Sequence, residues 1–271
     1  MRRAQALLAL ALAAGACAPR FVKLPSGPGT AASDAAEALV QATAACRAVS
    51  SITADVAASG TVGGERLRGH ILVGLAAPAS ARLEAVAPAG PPLFIFTSHD
   101  RDATLLLPRE DHVVEHGSPA DVLEAVTGLP VDAGELRETL TGCAPAAPAA
   151  AGRALGADWR VVAVGRMEVY LRRDPKIARW QVAAIAHGAA GGGGRAPGEW
   201  RAEYRNFEDG LPRAIHLASA DRARFNLSLT LSQVALNESL GAEVFRVDVP
   251  RSAERITVDD LRHARPGVRE D

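Results

Sequence analysis

The sequence has very little lysine, few aromatic residues and almost no long apolar segment. Lys23 and Lys176 are the only lysines among 30 basic residues, and aromatic residues make up 4% of the 271 positions. The arginines are spread along the chain in near balance with 31 acidic residues, so no basic stripe is available to bind nucleic acid. The sequence also lacks a βαβ pattern and a dinucleotide fingerprint, and we predict no cofactor.

The one apolar run lies at the N-terminus and is too short to span a bilayer. It covers residues 4–14, behind Arg2 and Arg3, whereas a spanning helix needs about 20 residues. A positive start, a short apolar core and small residues before a break together indicate a secretory signal. We therefore predict that residues 1–16 are a signal peptide and that the mature chain has 28 basic and 31 acidic residues.

Small residues directly before Cys17 resemble the lipobox of bacterial lipoproteins, although Ala14 stands where that class prefers Leu. The resemblance implies that Cys17 is lipidated, becomes the first mature residue and anchors the chain in a membrane. By resemblance to the enterobacterial sorting rule, Ala18 in place of Asp favours the outer membrane, with the body of the chain facing the periplasm. The alternative is an ordinary signal peptide followed by a chance cysteine.

Cys46 and Cys143 remain after lipidation, and the sequence leaves their state open. An oxidising compartment permits them to form a disulfide that closes a loop of about 98 residues. Two unpaired buried thiols are the alternative.

Hydrophobic periodicity divides the chain into an N-terminal helix, two sets of strands and two short helices between them. Residues 17–33 form a flexible tether, and a helix begins at Ser33 or Asp34 and ends near Val49. Short helices are predicted over about 118–126 and 133–140, each ended by a glycine. Strands are predicted at hairpin spacing over residues 52–62, 67–75, 81–87, 93–97, 103–107, 112–115, 160–164, 168–172, 178–186, 199–207, 213–219 and 225–236.

This order predicts an α+β fold that is mainly antiparallel. The main domain is expected over residues 34–249, with a loop at Gly191–Gly194 and a charged C-terminal tail over 250–271 that has a short helix near Val258–His263.

Two motifs carry residue types found in hydrolases. His112, Glu115 and His116 spell the inverted zinc-peptidase pattern H-x-x-E-H, but that chemistry needs a helix, whereas the two valines between them predict a strand. A periplasmic zinc hydrolase is therefore a remote alternative, and we expect no metal site and no catalytic residues. The Ser98–His99–Asp100 triplet is typical of a turn between strands, because triad residues meet in space rather than in sequence.

The segment from Thr127 to Gly142 resembles the helical linker of LolB, the outer-membrane lipoprotein receptor of the LolA/LolB superfamily. The matching residues are Thr127, Gly128, Pro130, Val131, Leu136, Arg137, Leu140 and Gly142. The resemblance covers about residues 34–237 and implies an open antiparallel half-barrel sheet with an N-terminal helix and a helical lid over an apolar cavity.

By that resemblance the chain binds acyl chains of lipoproteins, or another lipid, and receives them from a LolA-like periplasmic carrier without making or breaking a bond. The candidate cavity-lining residues are Ile71, Val73, Leu83, Phe94, Phe96, Leu105, Leu107, Leu123, Val126 and Leu136. Plain core packing is the alternative for each of them.

The sequence departs from the LolB pattern at the loop that engages the membrane. The matching place, residues 88–92, has no large apolar tip, so Pro91, Pro92 and the adjacent Leu93 are the candidate membrane-facing residues. Thr139 stands near the place of a family tryptophan. These departures favour a second hypothesis, in which the same fold binds another lipid or an envelope partner protein.

Overall fold

The computed structural model describes residues 23–147, 151–188, 199–221 and 224–264. The predicted signal peptide, Cys17 and the Gly191–Gly194 loop lie outside these residues. Four α-helices and one short 3₁₀ helix are found in the described part: α1 (Ala35–Arg47), α2 (Pro119–Thr127), α3 (Ala133–Thr141), the 3₁₀ helix Ala242–Phe245 and α4 (Val258–Ala264). The strands are β1 (Thr30–Ala31), β2 (Ser51–Val62), β3 (Glu65–Ala76), β4 (Ser80–Val86), β5 (Phe94–His99), β6 (Asp102–Leu107), β7 (His112–Gly117), β8 (Gly152–Ala154), β9 (Trp159–Val164), β10 (Met167–Arg173), β11 (Trp180–His187), β12 (Trp200–Glu208), β13 (Leu211–Ser219), β14 (Phe225–Leu236) and β15 (Glu254–Arg255).

All of these strands join one sheet, in the order β1-β8-β9-β10-β11-β12-β13-β14-β2-β3-β4-β5-β6-β7-β15. Every described pair is antiparallel except β7 and β15, which run parallel. The sheet is open, because its two ends, β1 and β15, do not pair with each other. The expected fold class, a mainly antiparallel open sheet with a few helices, is confirmed.

Alternation along the strands gives the sheet one apolar inner face and one polar outer face. On β14 the residues Phe225, Leu227, Leu229 and Leu231 are buried, whereas Thr230 and Ser232, on either side of Leu231, are exposed. Full burial of one such side chain contributes about 1.5–3 kcal/mol. The inner face of this one sheet therefore supplies most of the hydrophobic core.

The helices cover that inner face in two places. The N-terminal helix α1 packs on strands β8 to β11 and buries Ala35, Ala38 and Leu39. Helix α2 lies over β6, and α3 lies over β3, β4 and β13. Because α2 and α3 together cover the half of the sheet around β3 to β6, we call them the lid.

The first part of the C-terminal segment, residues 242–253, packs against the outside of the sheet. Val247, Val249 and Ala253 join Ile95, Leu106 and Val113 in a second, smaller hydrophobic cluster. Strand β15 then pairs with β7, and the α4 residue Leu261 is buried in the main core. As far as Ala264, the segment predicted as a charged tail is thus part of the fold, and its short helix is confirmed.

Hydrophobic periodicity did not predict β1, β8 and β15, because strands of two or three residues are too short to show it. Strand β15 pairs with β7. Strand β1 lies in the predicted tether and pairs with β8, which begins at the end of the Ala/Pro/Gly-rich residues 144–152.

Within the described residues, no helix has the length and apolar content needed to cross a membrane.

Cys46, at the end of α1, forms a disulfide with Cys143, directly after α3. The bond joins the two helix-covered parts of the inner face across 97 residues of sequence. Of the two alternatives that the sequence leaves open, the structure has the disulfide.

Replacing both cysteines with alanine should lower the free energy of unfolding by roughly 4–5 kcal/mol, because the bond restricts a long loop of the unfolded chain. Denaturant unfolding of the oxidised parent and the double variant measures the difference. Reduced parent protein should behave like the double variant, and equal stability of all three forms would contradict the structural role of the bond.

Candidate functional site

The ten candidate cavity residues lie on the inner face of the sheet and on the lid, in or against one hydrophobic core. Ile71, Phe94 and Val126 are partly buried at its margin. The other seven are buried: Val73, Leu83, Phe96, Leu105, Leu107, Leu123 and Leu136. The structure therefore brings together all ten residues, and it has them packed against one another and their neighbours. Whether they contact a lipid stays a prediction.

Strand register places the sheet members of this set side by side. Ile71 on β3 lies opposite Ala85 on β4, and Ala85 lies opposite Phe94 on β5. One row further in, Val73, Leu83, Phe96 and Leu105 follow one another across four strands. The rows form a continuous apolar surface that runs from the buried interior to a partly exposed margin. We call this margin, formed by Ile71, Phe94 and Val126, the mouth.

Local sequence signals determine where the two lid helices begin and end. Pro119 occupies the first turn of α2, and Gly128 ends it in the left-handed conformation that glycine adopts without strain. In α3, Asp132 and Glu135 form a capping box, each side chain bonding the backbone N–H of the other residue. The connection between the helices is only five residues long, with Pro130 and Val131 in it.

The two lid helices are held in place by different means. Helix α3 is fixed covalently, because the disulfide at Cys143 ties its end to α1. Among the described residues, helix α2 has two partly exposed ion pairs, Arg224–Glu124 at 2.9 Å and Arg262–Asp121 at 3.3 Å, of which the second reaches it from α4. Exposed pairs contribute at most about 1 kcal/mol each. Helix α2 is thus the less firmly held part of the lid.

The candidate membrane-facing residues lie in the loop between β4 and β5. Pro91 and Leu93 are exposed, with 45% of Leu93 accessible, and Pro92 is partly buried. Arg109 stiffens this loop by donating hydrogen bonds to the carbonyl oxygens of Ala89 and Pro91. That this loop meets a membrane stays a prediction.

A carboxyl group lies in a half-buried position on α3. Burial raises the pKa of Glu138, the Arg137 guanidinium opposes that shift, and Glu135 adds to it. Burial also raises the pKa of Tyr204, as does the nearby charge of Glu138, and the Tyr204 hydroxyl has no hydrogen-bond partner among the described residues. The charged form of Glu138 therefore costs stability in this position.

The residues of the two hydrolase-like motifs contact residues outside their own motifs. The H-x-x-E-H segment forms strand β7, as expected, and its residues have separate partners: His112 has Glu254, Glu115 has Arg255 and His116 has Asp102. Within residues 23–147, 151–188, 199–221 and 224–264, no three His, Cys, Asp or Glu side chains are grouped to hold a metal.

The triplet at residues 98–100 ends β5 and begins a tight turn, as expected. The serine that meets His99 is Ser80, at 2.9 Å, not Ser98. Only the strand pairing reveals that partner, because the two residues are 19 positions apart.

No protein-family model and no curated protein matches the sequence. Among solved structures, the fold is similar to a DUF1329 family protein from Desulfovibrio piger (12% identity, 79% of this chain and 95% of that chain, TM-score 0.49). It is also similar to a LolA superfamily protein from Nitrosomonas europaea (14% identity, 79% of this chain and 97% of that chain, TM-score 0.47). A third similar structure is a predicted outer membrane lipoprotein-sorting protein domain from Vibrio parahaemolyticus (11% identity, 72% of this chain and 88% of that chain, TM-score 0.43). One of these structures is of a LolA superfamily protein, and LolA/LolB is the superfamily that the Thr127–Gly142 segment resembles. At these identities the likeness concerns the fold alone.

Replacing Glu138 with glutamine should stabilise the protein at neutral pH. The folded-state pKa is raised above the ordinary value of 4.5, so the folded state binds the proton more readily than the unfolded state. The charged Glu138 carboxylate therefore lowers the free energy of unfolding at pH values above its folded-state pKa. This loss of stability disappears as the pH falls below the ordinary pKa of 4.5. Thermal unfolding as a function of pH should show a higher Tm for Glu138→Gln at pH 7 and no difference at low pH.

The exposed Glu110 provides the control, since Glu110→Gln should change the Tm little at any pH. A Glu138→Gln variant that is less stable than the parent at pH 7 would show that the charged carboxylate is favourable there.

Proposed function

We propose that this chain is a lipid-anchored envelope protein that holds an acyl chain between its lid and its sheet. The observation that carries the proposal is the apolar character of the inner face beneath the lid, which continues outward to the partly exposed mouth. The buried carboxylate among the described residues, Glu203, lies on the outer face, where it pairs with Arg201 and Arg205. The inner face beneath the lid is lined mainly by apolar side chains and therefore suits a hydrocarbon tail.

The free energies involved make such binding feasible. A sixteen-carbon chain in water is unfavourable by roughly 12 kcal/mol, at about 0.8 kcal/mol per CH₂ group. Displacing α2 exposes chiefly Val122 and Leu123, which are 0% and 2% accessible. Losing their burial costs about 1.5–3 kcal/mol each. An acyl chain that takes their place on the inner face more than offsets that cost.

The closed interior is therefore the ligand-free state in this proposal, and α2 is the part of the lid that moves. Helix α3 stays in place because of its disulfide, while α2 turns about its termini near Ser118 and Gly128. The acyl chain enters at the mouth beside Ile71, Phe94 and Val126 and occupies the face that α2 leaves.

The biological task that best fits an acyl chain held beneath the lid is acceptance of lipoprotein acyl chains from a LolA-like carrier and their insertion into the outer membrane. In that task Cys17 anchors the protein to the destination membrane. No bond is made or broken, so the protein is not an enzyme. A role in binding another lipid or an envelope partner is favoured instead by the β4–β5 loop, whose one exposed large apolar side chain is Leu93 at its end.

Neighbouring residues on β3 provide a matched test of acyl-chain binding. Ile71 faces the mouth, whereas Leu72, the next residue, faces outward and is 47% accessible. We expect Ile71→Asn to weaken binding of a fluorescent fatty acid to the full chain by about tenfold or more, since a buried polar amide costs about 1–3 kcal/mol.

The Leu72→Asn variant should bind the probe like the parent. Thermal unfolding of both variants separates a binding defect from loss of the fold. If the parent takes up no fatty acid, or if both variants bind equally well, the acyl-chain proposal is wrong.

Depletion of the protein in cells separates the two biological tasks. Accumulation of outer-membrane lipoproteins at the inner membrane is expected if the chain inserts them. Normal lipoprotein sorting, measured by membrane fractionation, would favour a different lipid or an envelope partner.

A further inference from the structure

A cleft of about 350 Å³ lies on the outer side of the sheet, close to the β2–β3 hairpin tip. It is lined by Ser59, Gly60, Thr61, Arg66, Leu67, Arg68 and Asn226, and we call it the arginine cleft. We propose that the arginine cleft binds the phosphate groups of anionic phospholipids at a membrane surface. This inference goes beyond the proposed function, because the cleft is on the opposite face from the acyl-chain site.

Strand register brings hydrogen-bond donors together in the cleft. Arg66 lies opposite Thr61, and Arg68 lies opposite Ser59, so that the four side chains share one face of β2 and β3. On the other side of β2, Asn226 lies opposite Thr61. Asn226 also lines the cleft, and its Oδ1 is 2.7 Å from His216 Nε2. Two guanidinium groups, two hydroxyls and an amide match the oxygens of a phosphate.

Neither arginine of the cleft is neutralised by a partner in the fold. Within the described residues, Arg66 and Arg68 make no ion pair and no side-chain hydrogen bond, whereas Arg201 and Arg205 share the carboxylate of Glu203. The nearest acidic residue in sequence, Glu65, alternates to the other face of β3. The cleft therefore presents two uncompensated positive charges.

Glycine at position 60 lets the strands approach closely at the cleft. Gly60 has a φ of 145°, and a Cβ there would collide with the backbone carbonyl oxygen of Asn226. Any other residue would push β14 away from β2. Gly60 is next to Thr61, which lies opposite Asn226 in the register of the two strands.

The surroundings of the cleft indicate a lipid surface rather than a soluble phosphate compound. Leu67, between the two arginines in sequence, is 41% accessible, and its side chain alternates with that of Glu65 to the other face of β3. At the same end of the sheet, Val86 and Leu93 flank the β4–β5 loop and are 39% and 45% accessible. Apolar side chains that can enter the headgroup region, next to arginines that attract anionic lipids, are typical of membrane-surface contacts. A small soluble phosphate compound would gain nothing from them.

Vesicle sedimentation tests the inference with the full chain carrying Cys17→Ser, so that no acyl anchor is attached. Binding to phosphatidylcholine vesicles is compared with binding to vesicles that also contain phosphatidylglycerol. We expect tighter binding to the anionic vesicles, weakened by added salt. The double change Arg66→Gln and Arg68→Gln should lower affinity for anionic vesicles by roughly 30-fold, at about tenfold per 1.4 kcal/mol and about 1 kcal/mol per arginine.

The matched control removes two exposed arginines at the opposite end of the sheet, Arg101→Gln and Arg179→Gln. This variant has the same net charge as the cleft variant and should bind anionic vesicles like the parent. If both double variants lose the same affinity for anionic vesicles, net charge alone explains the loss and the proposal is wrong. Unchanged binding of the cleft variant would also overturn the proposal.

Two further measurements separate the possible sources of phosphate and the two sites. Soluble glycerol phosphate, in excess, should displace little protein from anionic vesicles. Complete displacement would assign the cleft to a soluble ligand and overturn the membrane proposal. The cleft variant should bind the fluorescent fatty acid like the parent, so failure of the acyl-chain proposal and failure of this one give different results.

Discussion

Burial of one apolar sheet face is the constraint on which the rest of this structure depends. The strands form a single open ladder, and the inner sides of β2, β3, β5 and β14 are lined by residues such as Ile52, Leu75, Phe96 and Phe225. A sheet with two free ends cannot bury that face by closing on itself, so other elements must cover it. Helix α1 covers one half, and the lid covers the other.

The same constraint explains how the covering elements are connected. The disulfide between Cys46 and Cys143 joins α1 to the end of α3, so the two coverings are held relative to each other as well as to the sheet. Helix α2 has no such bond and depends on packing of Val122 and Leu123 and on contacts with α4. A cover with one fixed and one weakly held helix is suited to admitting a ligand without unfolding.

The outer face of the sheet carries mostly polar and charged side chains, because most of its area remains in contact with water. Its charges are mostly paired, as in Arg153–Glu168, His70–Asp55 and the cluster around Glu203. Part of it is covered instead by the C-terminal segment, which adds a small second core. Against this background, Arg66 and Arg68 stand out on the outer face, because they have no ion pair within the part of the chain that the structure describes.

Local sequence alone determined most of the secondary structure of this protein. Alternation on β14, the proline that begins α2 and the glycines that end both lid helices are signals between near neighbours, and they predicted those elements closely. The same holds for the H-x-x-E-H segment, whose two valines indicated a strand.

Only the tertiary structure decided the state of Cys46 and Cys143, the pairing of β1 with β8 and of β15 with β7, and the partner of His99. It also decided that Arg66, Arg68 and Asn226 lie in one cleft, although Asn226 is more than 150 positions away in sequence. Each of these depends on the register between strands that are distant along the chain. Register is set by the burial of the whole inner face at once, and no short stretch of sequence contains that information.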